Sequence, residues 1–586
     1  MAKRIFDLHQ HQYDNYPKSD ALTAKIDGNW IPISTEDFLE EGKNFASGLL
    51  ELGLKVGDKV ALISNNRPEW HIADLGIISA GMINVPIYPT ITEEDYQYIM
   101  NDAEVKLCLV SDQELLDKVS AIKEKVPSLS SIYSFDTLSN CEHWSVVKQK
   151  GEGKNNEKIE QIKAAVKEED LATLIYTSGT TGRPKGVMLT HKNLVSNVVA
   201  SRERLPVSND SKSLSFLPLC HVYERMVCYL YIYTGTSIYY AESLETIGDN
   251  LREVHPNVFT AVPRLLEKVY DKIVAKGSDL KGIKRALFFW ALALGHRYEL
   301  NGKNGFWYEF QLKLANKIIF SKWREALGGN TKAVASGAAA LQPRLARVFL
   351  AAQIPIMEGY GLTETSPVLA VNEEDNDGIR IGTVGRPLSN VEIKIAEDGE
   401  ILAKGPNVMM GYYNNEEATK EVFTNDGWFK TGDLGEFIEG EYLKITGRKK
   451  ETFKTSGGKY IAPQLLENKM KESSFIEQIM VIGEGEKHPA AIVQPAFEFL
   501  EEWCRRKDIE YNTSEEIVKM DRIKDRIMKE IDFYNKEFAQ FEQIKKVILA
   551  GRVWGIDTGE MTPTMKVKRR VIMQNFSDEI ERCYRG

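Results

Sequence analysis

The sequence is poor in cysteine and has no long apolar run. Its 586 residues include six cysteines (Cys108, Cys141, Cys220, Cys228, Cys504 and Cys583), with no CxxC pair and no metal-ligand spacing. That usage excludes a disulfide scaffold and a cysteine metal site, and it suits a reducing cytoplasm. No stretch approaches about eighteen consecutive apolar residues; even ALFFWALALG at 286–295 is too short to span a bilayer. The opening MAKRIFDLHQHQYDNYP has no apolar core behind its Lys and Arg, so it does not read as a secretory signal. Lys plus Arg number 75 against 84 Asp plus Glu, a net charge of −9, which argues against a chain built to neutralise nucleic-acid phosphates. Any anion site must be local. The expectation is a cytoplasmic protein with no nucleic-acid partner and no transmembrane segment, its only membrane contact being peripheral, at the inner face.

What is present is an α/β pattern. At this length at least two domains are expected. STEDFLEEGKNFASGLLELG, from Ser34, offers a Ser34/Thr35 cap and places Phe38, Phe45, Leu49 and Leu52 at helical spacing. KVALIS, INVPIY and VKLCLV are short β-rich runs separated by helical patterns near 67–80 and 93–102, the alternation that builds parallel sheets covered by helices. KQKGEGKNNEKIEQ at 148–161 is polar and reads as an exposed connection before the strand LATLIY. A helical region rich in aromatics covers 250–325. After about residue 440 the texture changes to YLKITG, ETFKTSG, QIMVIGE and AAIVQPA, followed by charged helices. The fold expected is a large N-terminal α/β domain, 1–447, and a smaller mobile α+β domain, 448–586, joined at GRKKE.

The most specialised segment is YTSGTTGRPKGVMLTH, 176–191. It contains five Ser and Thr hydroxyls, three glycines, Arg183 and Lys185. It is not a Walker A loop, and no GxGxxG lies near a βα turn, so two common nucleotide signatures are missing. The chemistry is nonetheless similar: glycines let backbone N–H groups turn toward phosphate oxygens, hydroxyls add donors, and Lys185 adds charge. A polyphosphate is the ligand these residues suit. In EGYGLTETSP, 358–367, Tyr360 offers a flat face to a base, Thr363 a hydroxyl to phosphate, and Glu364 a hard oxygen to Mg²⁺. A capped turn is the competing reading.

Residues 176–187 resemble the phosphate-loop signature of the adenylate-forming superfamily, which includes acyl-CoA synthetases, luciferases and peptide-synthetase adenylation domains. EGYGLTETSP, GWFKTGDLG (427–435), GRKKETFKTSGGKYIAP (447–463) and TPTMKVKRR (562–570) resemble its later signatures in order and spacing. The resemblance implies that Thr177, Ser178, Gly179, Thr180, Thr181, Gly182 and Lys185 cradle the phosphates of ATP. It implies that Tyr360 stacks on adenine, that Gly337 and Ala338 line adenine and the acyl pocket, that Glu358, Gly359 and Gly361 belong to the nucleotide site, that Thr363 binds phosphate, and that Glu364 with Thr177 binds Mg²⁺. Asp433, helped by Arg448, would hold the ribose, and Lys450 would be the hinge. His221, in LPLCHVYERM, would sit beside the substrate carboxylate, although a satisfied structural histidine is the commoner fate of a lone His. Lys566 corresponds to the C-terminal catalytic lysine. Two positions depart from the pattern: Ala340 stands where many relatives have proline, and Met565 replaces the glycine that commonly precedes the lysine.

The implied reaction joins a carboxylate to the α-phosphate of MgATP, releases pyrophosphate, and then passes the acyl group to coenzyme A. Lys566, His221, Lys185 and Thr363 are its catalytic candidates. The aromatic VCYLYIYTGTSIYYA and the form of HVYERM resemble long-chain fatty acyl-CoA synthetases of bacterial type. Two alternatives stay open: an acyl-AMP ligase that serves a carrier protein, and a catalytically silent nucleotide-binding scaffold.

Overall fold

The computed structural model describes residues 2–177, 183–373, 378–556, 558–562 and 566–585. These separate into two compact units. The first comprises Met1–Lys394, Leu402–Lys430 and Phe437–Lys444; the second comprises Ile395–Ile401, Thr431–Glu436 and Ile445–Gly586.

The first unit is built on two large sheets. One has seven strands, in which Ile83–Ile87, Lys59–Ile63, Val105–Val110 and Ser131–Ser134 run parallel. At its other side Leu171–Thr177 turns back antiparallel into Lys185–Thr190. The second sheet has nine strands, with a parallel run through Ser237–Tyr240, Lys212–Ser215, Val258–Ala261, Ala333–Ser336 and Ile356–Gly361. The strand runs at 59, 83, 105 and 171 are where the sequence patterns predict them. So is the helix Thr35–Glu51, in which the Ser34 hydroxyl accepts the Asp37 N–H at 3.0 Å while Phe38, Phe45 and Leu49 are buried.

Two helices, Pro68–Ser79 and Val222–Thr234, are buried around almost their whole circumference, the position of an inner layer and not of an amphipathic cover. Their polar residues are paired with one another. Arg225 Nη2 donates to Asp74 Oδ1 at 2.6 Å, and Tyr229 donates to Asp74 Oδ2. Arg225 Nη1 reaches Thr173 Oγ1 at 2.8 Å, and Asn84 Nδ2 also reaches Asp74. This network ties both helices to the seven-stranded sheet, and burying its charges is tolerable because each has a partner.

One expectation holds only in part. The polar stretch 148–161 is exposed over most of its length, as expected, but it is helical: it contributes to the helices Ser145–Gly151 and Asn156–Ala165, and within it only Gly151 and Ile159 are buried. Backbone proximity holds Ser145–Gly151 in place. A Cβ on Gly48 would meet the Val147 carbonyl oxygen at 1.9 Å, and one on Gly151 would meet the Asn44 oxygen at 2.2 Å, so the helices Thr35–Glu51 and Ser145–Gly151 approach through glycines.

Within 250–325 the chain is helical as expected over Pro263–Ser278, Gly282–His296 and Phe306–Ala315, but Val258–Ala261 is a strand of the nine-stranded sheet; Leu266, Tyr270, Phe288 and Leu294 form core against that sheet. In the second unit the strands Ile476–Ile482, Ala490–Pro495 and Lys546–Leu549 form one sheet, on which Ile523, Ile527 and Ile531 of helix Asp521–Asn535 pack.

Candidate functional site

In the first unit, Thr177 and Lys185 are cross-strand partners at the end of the hairpin where the chain passes from the first strand to the second. Ser178, Gly179, Thr180, Thr181 and Gly182 lie outside the described residues. Gly186, next along, is closely approached: a Cβ would sit 3.0 Å from the ring of Tyr176, which would have to shift to admit it. The short strand Gly411–Tyr412 pairs antiparallel with Lys185–Thr190. It brings in a residue absent from the sequence reading. The Lys185 ammonium lies 4.9 Å from the centre of the Tyr412 ring, and the Tyr412 hydroxyl donates to Glu364 Oε1 at 2.8 Å. Burial pushes the Tyr412 phenol well above its usual range, with Glu364 adding to the rise, so the hydroxyl stays a donor. Lys185, Tyr412 and Glu364 thus form one connected line.

The turn that presents Glu364 is fixed from several sides. Leu362 N–H reaches Thr365 Oγ1 at 3.0 Å, Asn407 Nδ2 reaches the Thr365 carbonyl at 2.7 Å, and Met409 N–H reaches the Glu364 carbonyl at 2.9 Å. Thr363 opens this single turn of 3₁₀ helix. Tyr360 and Gly361 end the strand Ile356–Gly361, and a Cβ on Gly361 would lie 1.8 Å from the Pro367 carbonyl oxygen. Gly359 is less constrained, its nearest neighbour being Val371 at 3.4 Å.

A second group of predicted residues surrounds the ends of the adjacent strands. His221 caps the helix Val222–Thr234, its Nδ1 accepting the Tyr223 N–H at 3.1 Å. That nitrogen is therefore unprotonated, which leaves the ring proton on Nε2. The Tyr88 ring lies edge-on at 6.4 Å. A Cβ on Gly337 would lie 3.2 Å from the Tyr223 ring, and Ala338 has φ +69, a left-handed backbone rare for a residue with a Cβ. Glu358 pairs in register with Ser336 and is buried. Burial raises its carboxyl to about 8, against the opposing effect of a backbone hydrogen bond from Leu341, so it is mostly neutral at pH 7. Glu224, one turn beyond His221, accepts from Ser215 at 2.6 Å and from Thr260, and burial raises it to about 7. Neither shift is visible in sequence, since each depends on the neighbours of an ordinary glutamate.

In the second unit, Asp433 and Arg448 meet, with Nε to Oδ1 at 2.9 Å and Asp433 only 5% exposed. Beside them the Lys449 ammonium holds Glu400 at 2.7 Å and Asp398 at 2.6 Å, while Lys449 N–H binds the Gly432 carbonyl. Lys450 is exposed in the turn that follows. Lys566 is also exposed; Thr562 N–H donates to the Lys566 carbonyl oxygen at 2.8 Å, and Lys566 N–H donates to Thr562 Oγ1 at 3.0 Å. Met565 lies outside the described residues.

Among the described residues no group of three or more His, Cys, Asp or Glu is placed to hold a metal. A lone carboxylate such as Glu364 suits Mg²⁺, which is commonly bound through one or two carboxylates plus substrate phosphates and water.

A large α/β body of two sheets followed by a small α+β unit is the architecture of adenylate-forming enzymes. The adenylation domain of a Mycobacterium chelonae carboxylate reductase shares it with a TM-score of 0.77, covering 99% of this chain and 90% of that one at 20% identity. The chain belongs to the AMP-binding enzyme family: residues 9–413 match the AMP-binding enzyme domain, and 450–586 match the AMP-binding enzyme C-terminal domain. It is 34% identical to a long-chain-fatty-acid–CoA ligase of Mycobacterium bovis, over 98% of this chain and 96% of that protein. A long-chain-fatty-acid–CoA ligase of Xenopus laevis is 32% identical over 99% of this chain and 83% of the relative.

Proposed function

We propose that this protein is a long-chain fatty acid–CoA ligase that works through an acyl adenylate. The observation that carries the reading is the line Lys185, Tyr412, Glu364 beside the hydroxyl- and glycine-rich hairpin, in a chain similar over nearly its whole length to enzymes of that name. The fatty carboxylate attacks the α-phosphorus of ATP, the bond to the β-phosphate oxygen breaks, and pyrophosphate leaves. Coenzyme A then attacks the acyl carbonyl through its sulfur, AMP departs, and the thiol proton is released.

The first step brings two anions together while charge accumulates on the leaving group, so the protein's task is mainly electrostatic. In this reading Lys185 and the loop donors neutralise the phosphates, and Thr363 adds a hydroxyl. Glu364 and Thr177 would hold Mg²⁺, which when bound supplies charge neutralisation across the phosphates. Asp433 accepts from the ribose hydroxyls while Arg448 holds its carboxylate, and Lys566 meets the α-phosphate. Glu358, neutral through burial, adds no negative charge to a strand end assigned to adenine. His221, its Nδ1 already occupied, offers Nε2–H to the acyl carboxylate. The two half-reactions place different demands on one carbonyl, and we assign the pivot between 447 and 448, about Lys450, to the exchange between them.

The test is pyrophosphate release from ATP over carboxylic acids of increasing chain length, with and without coenzyme A. Release that rises with chain length, with acyl-CoA formed when the thiol is present, is the expected result. Adenylate that accumulates and does not react with free coenzyme A would instead mark a carrier-protein ligase.

A further inference from the structure

The helix Phe306–Ala315 carries an apolar face that the other described residues leave uncovered. Phe306 is 87% exposed, Trp307 68%, Phe310 53% and Leu314 45%. At about 100° per residue these four positions fall within an arc of about 100°, a single stripe along one side. The opposite side is core: Tyr308, Leu312 and Ala315 are buried, and the Tyr308 hydroxyl donates to the Leu294 carbonyl at 2.7 Å. Within the stripe the rings of Trp307 and Phe310 stack at 5.6 Å with planes 17° apart.

The surroundings of the stripe are cationic. Lys313 and Lys317 are exposed beside it, and Lys281, Lys284 and Arg285 are exposed around Ile283, itself 79% exposed, at the start of the neighbouring helix Gly282–His296. From Lys276 to Glu325 the chain has ten Lys and Arg against four Asp and Glu, a local net charge of +6 in a protein whose overall charge is −9. A protein-binding hydrophobic patch needs no such reversal of sign. An aromatic stripe that includes a tryptophan and is flanked by lysines combines the two attractions of an interfacial helix, apolar insertion and attraction to anionic headgroups. No described helix is long and apolar enough to cross a membrane, so the contact is one of lying on the surface.

We propose that helix Phe306–Ala315, with its lysine border, docks the protein on anionic phospholipid surfaces. Such docking would let a long-chain fatty acid be collected where it partitions, a consequence that rests on the substrate proposed above; the docking itself does not require it.

The test is co-sedimentation of the full-length protein with vesicles of phosphatidylcholine alone, or of phosphatidylcholine mixed with phosphatidylglycerol, without ATP, fatty acid or coenzyme A. The protein should pellet with the mixed vesicles and remain in solution with the neutral ones. Trp307→Ser/Phe310→Ser should weaken binding at least tenfold, since two interfacial aromatics are removed. Lys313→Glu/Lys317→Glu should also weaken it and reduce its salt sensitivity. All four positions are exposed, so unchanged thermal unfolding is expected. Equal binding to neutral vesicles, or binding that survives both double substitutions, would overturn the assignment. So would a dimer in light scattering that disappears in Trp307→Ser/Phe310→Ser while the wild type ignores vesicles, because the stripe would then be a contact between copies. Ligase activity measured separately on a short, soluble acid tests the proposed function alone, and should be the same in all these variants.

Discussion

The Tyr412 hydroxyl donates to Glu364 at 2.8 Å while its ring lies under the Lys185 ammonium at 4.9 Å. One side chain therefore orients an anion and a cation that stand 179 residues apart in the chain. Tyr412→Phe keeps the ring and removes only the hydrogen bond. A hydrogen bond to a charged group contributes about 1.5–3 kcal/mol, so roughly a tenfold or greater fall in kcat for ATP–pyrophosphate exchange is expected, with folding unchanged. Unaltered exchange kinetics would show that Glu364 needs no such support.

The Asp74–Arg225 pair predicts a different signature, in stability. Both side chains are fully buried, and their network links two inner helices to a sheet. Arg225→Met leaves Asp74 charged and without its main partner, which typically costs about 3–5 kcal/mol. Asp74→Leu/Arg225→Met removes both charges and should be less destabilising than Arg225→Met. Thermal unfolding of the two variants under one buffer condition decides it: a double variant that melts below the single one refutes the coupling.

How much of this was legible in the sequence depends on the range of the interaction. The helix from Ser34 announces itself through a cap and apolar spacing within about twenty residues, and the strands at 59, 83, 105 and 171 through unbroken β-rich runs. Residues Asp433 and Arg448, fifteen apart, were legible as a pair through motif resemblance and do meet. The helix Ser145–Gly151 was not legible, because its contact with the helix Thr35–Glu51 runs through two glycine approaches that leave no apolar period. Tyr412 was missed for a related reason. Its partners come from elements remote in the chain, and the GYYN around it has no local pattern that points to either. Backbone contact and long-range hydrogen bonding are the two signals that periodicity does not carry.

Lys566 provides a test that separates the half-reactions. It stands exposed, and both of its hydrogen bonds to Thr562 are made by its backbone, so replacing its side chain leaves the surrounding unit intact. Lys566→Ala is expected to lower acyl-adenylate formation by roughly 10²–10³-fold, the usual effect of losing one electrostatic stabiliser of the transition state. Thioester formation from supplied acyl adenylate and coenzyme A should be spared. If chromatography shows both steps reduced equally, Lys566 serves something other than adenylation.

Glu358 makes the protein's stability depend on pH in a direction that can be worked out. Its carboxyl is raised by burial to about 8, whereas in the unfolded chain it titrates near the ordinary value of about 4.3. Between those values the folded state holds the proton more tightly, so this residue's contribution is complete below about pH 4.3 and declines as pH rises toward 8. The buried histidines act in the opposite sense: burial lowers His71 to about 3, and His9 and His191 to about 4, so their contribution is present above about pH 6.5 and lost on acidification. A bare stability profile mixes the two. The difference between wild type and Glu358→Gln does not, because the amide has no proton to lose while the histidines are common to both. Relative to the variant, the wild-type melting temperature, measured without ligands, should fall steadily from about pH 5 to about pH 8, and a difference that stays flat over that range would mean that Glu358 is already ionised in the folded protein.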